Sequence, residues 1–339
     1  MPKTTIAIAT TTCLLSLLIQ PVAVRAETGW TAAAPLPSTR QEIYAATLDG
    51  QIYTAGGLAE RASTVRDDFN AYDPKSKSWR VLPSLPAGRH HITLTAVAGN
   101  IYAVGGFSGG FPDWKPERDS YVFNISSGSW SALPPLPVAR GEHVAASVSG
   151  KLYVIGGRVA GTPGAANFKD HRDTGRVDVF DPASGSWSRG VDAPTARNSA
   201  ASVVIDGKIY VVGGRQFLAQ PNGSVANVNT GALEVFDPET GFWSKRAPMP
   251  AGAGGIAATV LDGKLYVFGG EQWTPSKEVF ANTWIYDPAT DAWTAGPDLN
   301  VPRHGAAAGT IGRRIYVFGG AIETGAGDVA DNEVWQVAD

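Results

Sequence analysis

The sequence predicts an all-β protein, a six-bladed β-propeller with four antiparallel strands in each blade. Three observations predict it: a tryptophan recurs six times, a glycine pair follows each tryptophan after a constant 26 residues, and a short apolar segment ends at each pair. A repeat period of about 50 residues is typical of propellers. The tryptophans are Trp30, Trp79, Trp130, Trp187, Trp243 and Trp293, and the pairs begin at Gly56, Gly105, Gly156, Gly213, Gly269 and Gly319.

Each repeat contains the elements of one blade, as the fourth shows. A small-residue strand at 200–203 leads through a tight turn at Asp206-Gly207 into the apolar strand at 209–212. Such turn pairs tolerate positive φ and close hairpins, and β-branched and aromatic residues favour a buried strand. A third strand follows at 233–236, and in four repeats an Asp-Pro turn then precedes the tryptophan, which we place on the fourth strand.

The ends of the chain predict how the propeller closes. The first tryptophan strand, from Trp30 to Pro37, has no preceding three strands, and the chain ends after the third strand of the last repeat, near Trp335. We therefore expect the N-terminal strand to be the outermost strand of the last blade, which would remove an open sheet edge. Residues 27–339 would then form a single domain.

Residues 1–26 do not share the repeat and are typical of a signal peptide. Lys3 precedes an apolar stretch at 6–19, and small residues stand at Val24 and Ala26. A stretch of fourteen residues is short for a membrane span. We expect cleavage near Glu27, a secreted or periplasmic protein, and no insertion into a membrane.

Charge and cysteine content exclude several classes of function. The whole chain has a formal net charge of −3, which becomes −5 once Lys3 and Arg25 are removed. A mildly acidic protein is a poor candidate for binding nucleic acid. The one cysteine, Cys13, lies in the predicted signal peptide, so the mature chain would have no disulfide and no thiol nucleophile.

The repeat resembles the Kelch repeat: a glycine pair after an apolar strand that contains tyrosine, then Asp-Pro, then tryptophan. The resemblance covers the chain from Trp30 to Asp339. Two departures are small, Asn124-Ile125 in place of Asp-Pro and Ala253 where the other repeats have arginine. The resemblance implies a propeller that acts as a recognition platform; it does not imply a copper radical oxidase of the galactose oxidase type, which needs a cysteine.

The candidate site residues lie in loops that the topology places on one face. An arginine stands ten residues after the tryptophan in five repeats, and histidines and glutamates follow it. Arginine binds carboxylates and phosphates through paired hydrogen bonds, although recurrence at a fixed offset favours a structural role for most of them. The candidate ligand-binding residues are Arg40, Arg89, His90, Arg140, Glu142, Arg197, Arg303, Trp114 and Trp273; the candidates for acid-base catalysis are Glu42, His143 and His304.

Two functions remain open from the sequence. The first is a monomeric binding module that recognises an anionic sugar or an acidic peptide or protein on the loop face. The second is a sugar epimerase or mutarotase, because some extracytoplasmic six-bladed Kelch proteins that resemble this chain in architecture are sialic-acid epimerases. In that case arginine would hold the carboxylate while histidine or glutamate moves protons. No tight ligand spacing supports a metal site, and we expect no cofactor.

Overall fold

The computed structural model describes Met1 and residues 29–219 and 225–338, and it confirms a six-bladed β-propeller. The predicted signal peptide and its cleavage site lie outside the described residues. Six four-stranded antiparallel sheets surround a central axis, with the first strand of each blade innermost. Among the described residues, no helix has the length and apolar character needed to cross a membrane.

The strands follow the repeat from blade to blade. In order from the axis outwards they are Tyr44–Leu48, Gln51–Ala55, Phe69–Asp73 and Ser78–Leu82 in blade 1; Thr93–Val97, Asn100–Val104, Ser120–Asn124 and Ser129–Ala132 in blade 2; Val144–Val148, Lys151–Ile155, Val177–Asp181 and Ser186–Arg189 in blade 3; Ala201–Ile205, Lys208–Val212, Leu233–Asp237 and Phe242–Arg246 in blade 4; Ala257–Leu261, Lys264–Phe268, Thr283–Asp287 and Ala292–Ala295 in blade 5; and Ala307–Ile311, Arg314–Phe318, Asn332–Gln336 and Trp30–Ala33 in blade 6.

The N-terminal strand closes blade 6, as predicted. Trp30 pairs in register with Trp335 on the third strand of that blade. The Trp30 side chain is buried, and its ring packs edge-on against Phe268 with ring centroids 5.3 Å apart. The first and last strands of the chain are therefore held together by backbone pairing and by aromatic packing.

The repeated tryptophans also join neighbouring blades by a hydrogen bond. In every blade the indole Nε1 donates to the backbone carbonyl four residues after the tryptophan of the preceding blade, at 2.8–3.0 Å, as in Trp79 to Ala34 and Trp30 to Pro297. Phenylalanine would fill similar volume but has no donor. The bond explains why tryptophan, and not another large apolar residue, recurs at this position.

The variable segments are ordered hairpins and not the simple loops expected from sequence. Each blade carries one two-stranded hairpin between its second and third strands: Leu58–Ala59 with Thr64–Val65, Phe107–Ser108 with Lys115–Pro116, Arg158–Ala160 with His171–Asp173, Arg215–Ala219 with Val225–Asn229, Glu271–Gln272 with Glu278–Val279, and Ala321–Glu323 with Ala326–Asp328. One short 3-10 helix, Phe168–Asp170, lies in the third hairpin. All six hairpins lie on one face, which we call the hairpin face.

Candidate functional site

The five repeated arginines are structural crosslinks within the blades. Arg40, Arg197 and Arg303 each donate to the carbonyl of the first glycine of their own glycine pair, at 2.9–3.2 Å. Arg140 donates to Asp178 at 2.7 Å, and Arg89 bonds to Asp119. All five side chains are buried, and none lines the large pocket of this face. These guanidinium groups therefore bond to carbonyls and carboxylates inside the blades, and the structure does not place them at the mouth that the sequence predicted.

A ring of residues from all six blades surrounds the axis on the hairpin face. It consists of the residues twelve positions after each tryptophan, and we call it the axial ring: Glu42, His91, Glu142, Ser199, Gly255 and Gly305. All six have positive φ between 50° and 66°. Backbone hydrogen bonds join neighbours around the ring, for example Gly305 N to Gly255 O at 2.8 Å and Gly255 N to Ser199 O at 2.9 Å. The ring therefore forms a floor across the axis.

A pocket of about 700 Å³ lies above this floor, a size typical of small-molecule sites. Its lining combines charged floor residues, aromatic walls and cations at the rim. The floor includes Glu42, His91, Glu142, Arg158, Arg215 and Glu271; the walls include Phe111, Trp114, Phe168, Phe217 and Trp273; the rim includes Arg61, Lys169 and Lys277. The cavity on the axis between the innermost strands is only about 80 Å³, so the hairpin face offers the larger space.

Buried ion pairs join the floor across three blades. Arg158 donates to Glu142 at 2.9 Å, and Ser199 donates to the other oxygen of Glu142 at 2.9 Å. Arg215 donates to Ser199 at 2.7 Å and to Glu271 at 2.6 Å. Burial acts to raise the pKa of Glu142, but Arg158 and His91 outweigh it and hold the pKa below its ordinary value. Glu142 is therefore a fixed carboxylate that organises the floor.

Two histidines from neighbouring blades flank Glu42. His91 Nε2 lies 2.9 Å from one carboxylate oxygen, and His304 Nδ1 lies 3.3 Å from the other. Burial acts to raise the pKa of Glu42, but the two imidazoles outweigh it and hold this pKa well below its ordinary value. Burial likewise acts to lower the pKa of His304, yet Glu271 and Glu42 raise it. Glu42 and the two histidines therefore form a buried polar cluster at the pocket floor.

The hydrogen bonds define which nitrogens carry protons. His90 Nε2 lies 3.0 Å from the carbonyl of Gly109, so it donates, and Nδ1 of the neutral ring accepts from His91 Nδ1 at 2.7 Å. Burial and the neighbouring His91 lower the pKa of His90, in agreement with a neutral ring. His91 Nδ1 is then the donor to His90, and His91 Nε2 faces the Glu42 carboxylate. Among the sequence candidates, Glu42, Glu142 and His304 are thus brought together, with His90 behind them.

Aromatic rings surround the Arg158 guanidinium and form one wall of the pocket. Its carbon atom Cζ lies 4.7 Å from the centroid of Phe217, 5.8 Å from Phe168 and 5.9 Å from Trp114. On the opposite side Trp273 donates to Glu271 at 3.0 Å, and Lys277 Nζ lies 4.9 Å from the Trp273 ring. Both predicted tryptophans, Trp114 and Trp273, line the pocket.

His143 does not line the pocket, although it follows Glu142 directly. It is fully buried, and its Nε2 lies 3.1 Å from the hydroxyl of Thr93. Burial, assisted by Arg140, lowers its pKa to about 3. The imidazole is therefore neutral in the folded protein and serves in packing, so the structure does not support its predicted role in acid-base chemistry.

Acidification is expected to weaken the fold through His143. Its folded pKa lies below the unfolded value of about 6.5, so the unfolded state binds the proton first. The contribution of neutral His143 to the free energy of unfolding is complete above about pH 6.5. It is lost as pH falls towards 3, by up to about 1.4 kcal/mol per pH unit. Urea unfolding of His143→Gln at pH 7, 5 and 4 should show a flatter pH dependence than the natural protein; equal slopes would contradict a neutral buried His143.

Three floor residues escaped the sequence analysis, and a simple signal marks them. The residue directly after each glycine pair begins the hairpin and forms a β-bridge with the residue directly before the axial-ring residue of the same blade. This position is apolar in three blades and charged in the other three, as Arg158, Arg215 and Glu271. A charged residue at a position that other blades fill with an apolar residue is not needed for the repeat itself, and a buried charge requires partners.

The fold and this face together define a six-bladed propeller with a large pocket on its hairpin face. Comparison with protein families matches residues 23–157 and 107–320 to the KLHDC2/KLHL20/DRC7 Kelch-repeats domain. The chain therefore belongs to the Kelch-repeat family, as its repeat predicted. Within the described residues, no group of three or more histidine, aspartate, glutamate or cysteine side chains is arranged to hold a metal ion.

Several known proteins are similar to this chain. Kelch-like protein 35 of Mus musculus is 29% identical over 71% of this chain and 37% of its own length, and Kelch-like protein terF of Aspergillus terreus is 28% identical over 71% and 52%. The chain thus spans between about a third and about half of these relatives. A solved structure described as that of YjhT covers 91% of this chain and 97% of its own, with a TM-score of 0.74 and 21% identity; this likeness concerns the fold.

Proposed function

We propose that the protein is a binding module that holds a compact anionic ligand, an anionic sugar or an acidic peptide segment, in the hairpin-face pocket. The observation that carries this proposal is the combination of aromatic walls with three cations at the pocket rim, Arg61, Lys169 and Lys277. Lys169 and Lys277 are exposed, and within the described part of the chain neither makes a salt bridge.

The charges at the pocket rim support an anionic ligand. On the floor the three carboxylates, Glu42, Glu142 and Glu271, are each in contact with basic side chains of the same floor. The charge presented to a ligand at the opening is therefore that of the rim cations. A concave site lined by one sign of charge concentrates ligands of the opposite sign.

The walls support a ligand with a flat or ring-shaped apolar surface. Trp114, Phe168 and Phe217 present aromatic surface at the pocket, and Trp273 faces them from blade 5. Large aromatic side chains contribute contact area and geometric preference at binding sites. The faces of sugar rings and the side chains of a short peptide both provide matching surfaces.

Replacing the rim lysines is expected to weaken binding without changing the fold. In a screen of sugar acids and acidic peptides, Lys169→Gln/Lys277→Gln should bind the best ligand about tenfold more weakly, because two exposed charges each contribute up to about 1 kcal/mol. The loss should shrink at 1 M salt, where charges are screened beyond about 3 Å. Lys75→Gln, on the turn of the opposite face, is the matched control. Unchanged binding by the double variant at low salt would contradict the proposal.

Catalysis on such a ligand is a second candidate, supported by the position of Glu42. Its side chain is the most exposed of the three floor carboxylates, at 10%, and two histidines contact it. Proton transfer during sugar ring opening and closing needs an acid and a base in such positions. Measuring the mutarotation rate of N-acetylneuraminic acid with and without the protein separates the two functions: acceleration indicates an enzyme, and an unchanged rate leaves a binding module.

We also propose that binding takes place outside the cytoplasm. The basic start, apolar stretch and small residues of 1–26 support this compartment. N-terminal sequencing of the protein recovered from the exported fraction should begin near Glu27. Recovery of the chain in the cytoplasm with its N-terminus intact would overturn this part of the proposal.

A further inference from the structure

Gln41 is a buried polar residue of the pocket that has no hydrogen-bond partner. It directly precedes Glu42 of the axial ring, lines the pocket, and is 1% exposed. Within the described residues, neither Nε2 nor Oε1 of its amide makes a hydrogen bond. Its backbone is fully paired with Leu58, at 2.8 and 2.9 Å. Since buried amides are nearly always hydrogen-bonded, the side chain of Gln41 requires an explanation.

Comparison between blades shows why this amide lacks a partner. At the same offset in blades 2 and 6, His90 and His304 bond to carbonyls of their own hairpins, Gly109 and Glu323, four residues after the first glycine of the pair. In blade 1 the corresponding carbonyl belongs to Glu60. That carbonyl instead accepts from the backbone and the hydroxyl of Ser63.

The hairpin turn of blade 1 has an unusual backbone. Three consecutive residues, Glu60, Arg61 and Ala62, have positive φ of 51°, 57° and 68°. This conformation is unfavourable for residues other than glycine. It is held by contacts to both neighbouring hairpins: the Arg61 amide donates to Asp328 at 3.0 Å, and Ala62 accepts from Phe111 at 2.9 Å. The turn thus keeps the carbonyl of Glu60 away from Gln41 and places Ala62 and Arg61 at the pocket.

We propose that Gln41 is a specificity-determining residue that pairs with a secondary amide of the bound ligand. Its Oε1 would accept from the ligand N–H, and its Nε2 would donate to the ligand C=O, which satisfies both unpartnered atoms at once. Leu58 and Ala62 are buried neighbours that also line the pocket, so an apolar group attached to the amide would contact them. The inference rests on the proposed function and adds that the anionic ligand carries an amide, either as an N-acylated sugar or as a peptide bond.

Matched pairs of probes test this inference and separate the two sources of the amide. The sugar pair is N-acetylneuraminic acid and its analogue with a hydroxyl in place of the acetamido group. The peptide pair is acetyl-Asp-Glu-Asp amide and the same molecule with an ester in place of one backbone amide. The natural protein should prefer the amide member of one pair by about tenfold or more, because the analogue leaves a buried group unpaired. The pair that shows the preference identifies the source.

The variant Gln41→Met removes both polar atoms at similar volume. It should bind the two members of that pair within about twofold of each other, with unchanged affinity for the analogue. Without ligand it should melt at a higher temperature than the natural protein, since an unpaired buried amide is removed. Three results would each overturn the inference and leave the proposed function standing. The natural protein could bind both members of a pair equally well, Gln41→Met could retain the preference for the amide, or Gln41→Met could melt at a lower temperature than the natural protein. If neither member of either pair binds, both fail.

Discussion

Replacing Arg158 by alanine is expected to lower the free energy of unfolding by about 3–5 kcal/mol, because the buried Glu142 carboxylate loses its closest cationic partner. Arg158 is 3% exposed and bonds to Glu142 at 2.9 Å and to the carbonyl of Phe168. Its loss also removes the group against which Trp114, Phe168 and Phe217 pack. Urea unfolding at pH 7 measures the change, and ligand binding should be lost in parallel.

Two further variants show whether the Glu142 carboxylate, without Arg158, causes this loss. In Arg158→Ala/Glu142→Gln the charge is absent, so much of the lost stability should return. Arg61→Ala breaks an exposed ion pair with Glu323, with side chains 67% and 54% exposed, and should lower the free energy of unfolding far less than Arg158→Ala, because solvent screens an exposed pair. Equal losses in Arg158→Ala and Arg61→Ala would refute the assignment of Arg158 to a buried network.

The second large effect is expected at the closure of the propeller. Trp30→Ala removes a buried side chain that packs on Phe268 and Trp335 and donates to the carbonyl of Pro297 at 2.8 Å. Truncation of a large buried aromatic residue costs about 3–5 kcal/mol. Because this strand completes blade 6, the open edge should also favour aggregation on heating. Chemical unfolding and light scattering during a thermal scan measure the two effects.

Phe242 provides the matched control for Trp30. It also lies on an outermost strand, that of blade 4, but it is 74% exposed. Phe242→Ala should change the free energy of unfolding by less than about 0.5 kcal/mol. If Trp30→Ala were as mild as Phe242→Ala, the N-terminal strand would contribute little to closure, against the pairing seen between Trp30 and Trp335.

The fold could be predicted because the repeat carries several independent signals. The constant spacing from tryptophan to glycine pair indicates two strands of fixed length, and the unpaired strand at Trp30 indicates how the circle closes. Local turn residues agree with this pattern at Asp206-Gly207, where φ is 49° and 73°. Each level of the sequence therefore specifies the same architecture.

The site could be predicted only in part, because repetition hides which residues are used for folding. Arg140 and Arg197 recur at one offset, yet the carboxylates that they bond, Asp178 and Glu234, lie 38 and 37 residues further along the chain. Such partners follow from the three-dimensional pairing of strands and cannot be read from spacing alone. Glu42 and His304, which break the repeat, were identified from sequence and do meet at the pocket floor. Departures from a repeat were therefore the better guide to the site.

A crystal structure of the protein with the best anionic ligand from the screen tests the central claim most directly. The account predicts ligand density above the axial ring, between Trp114 and Trp273, with the charged group within reach of Lys169 or Lys277. Density at the opposite face, or along an outer strand of a blade, would contradict it.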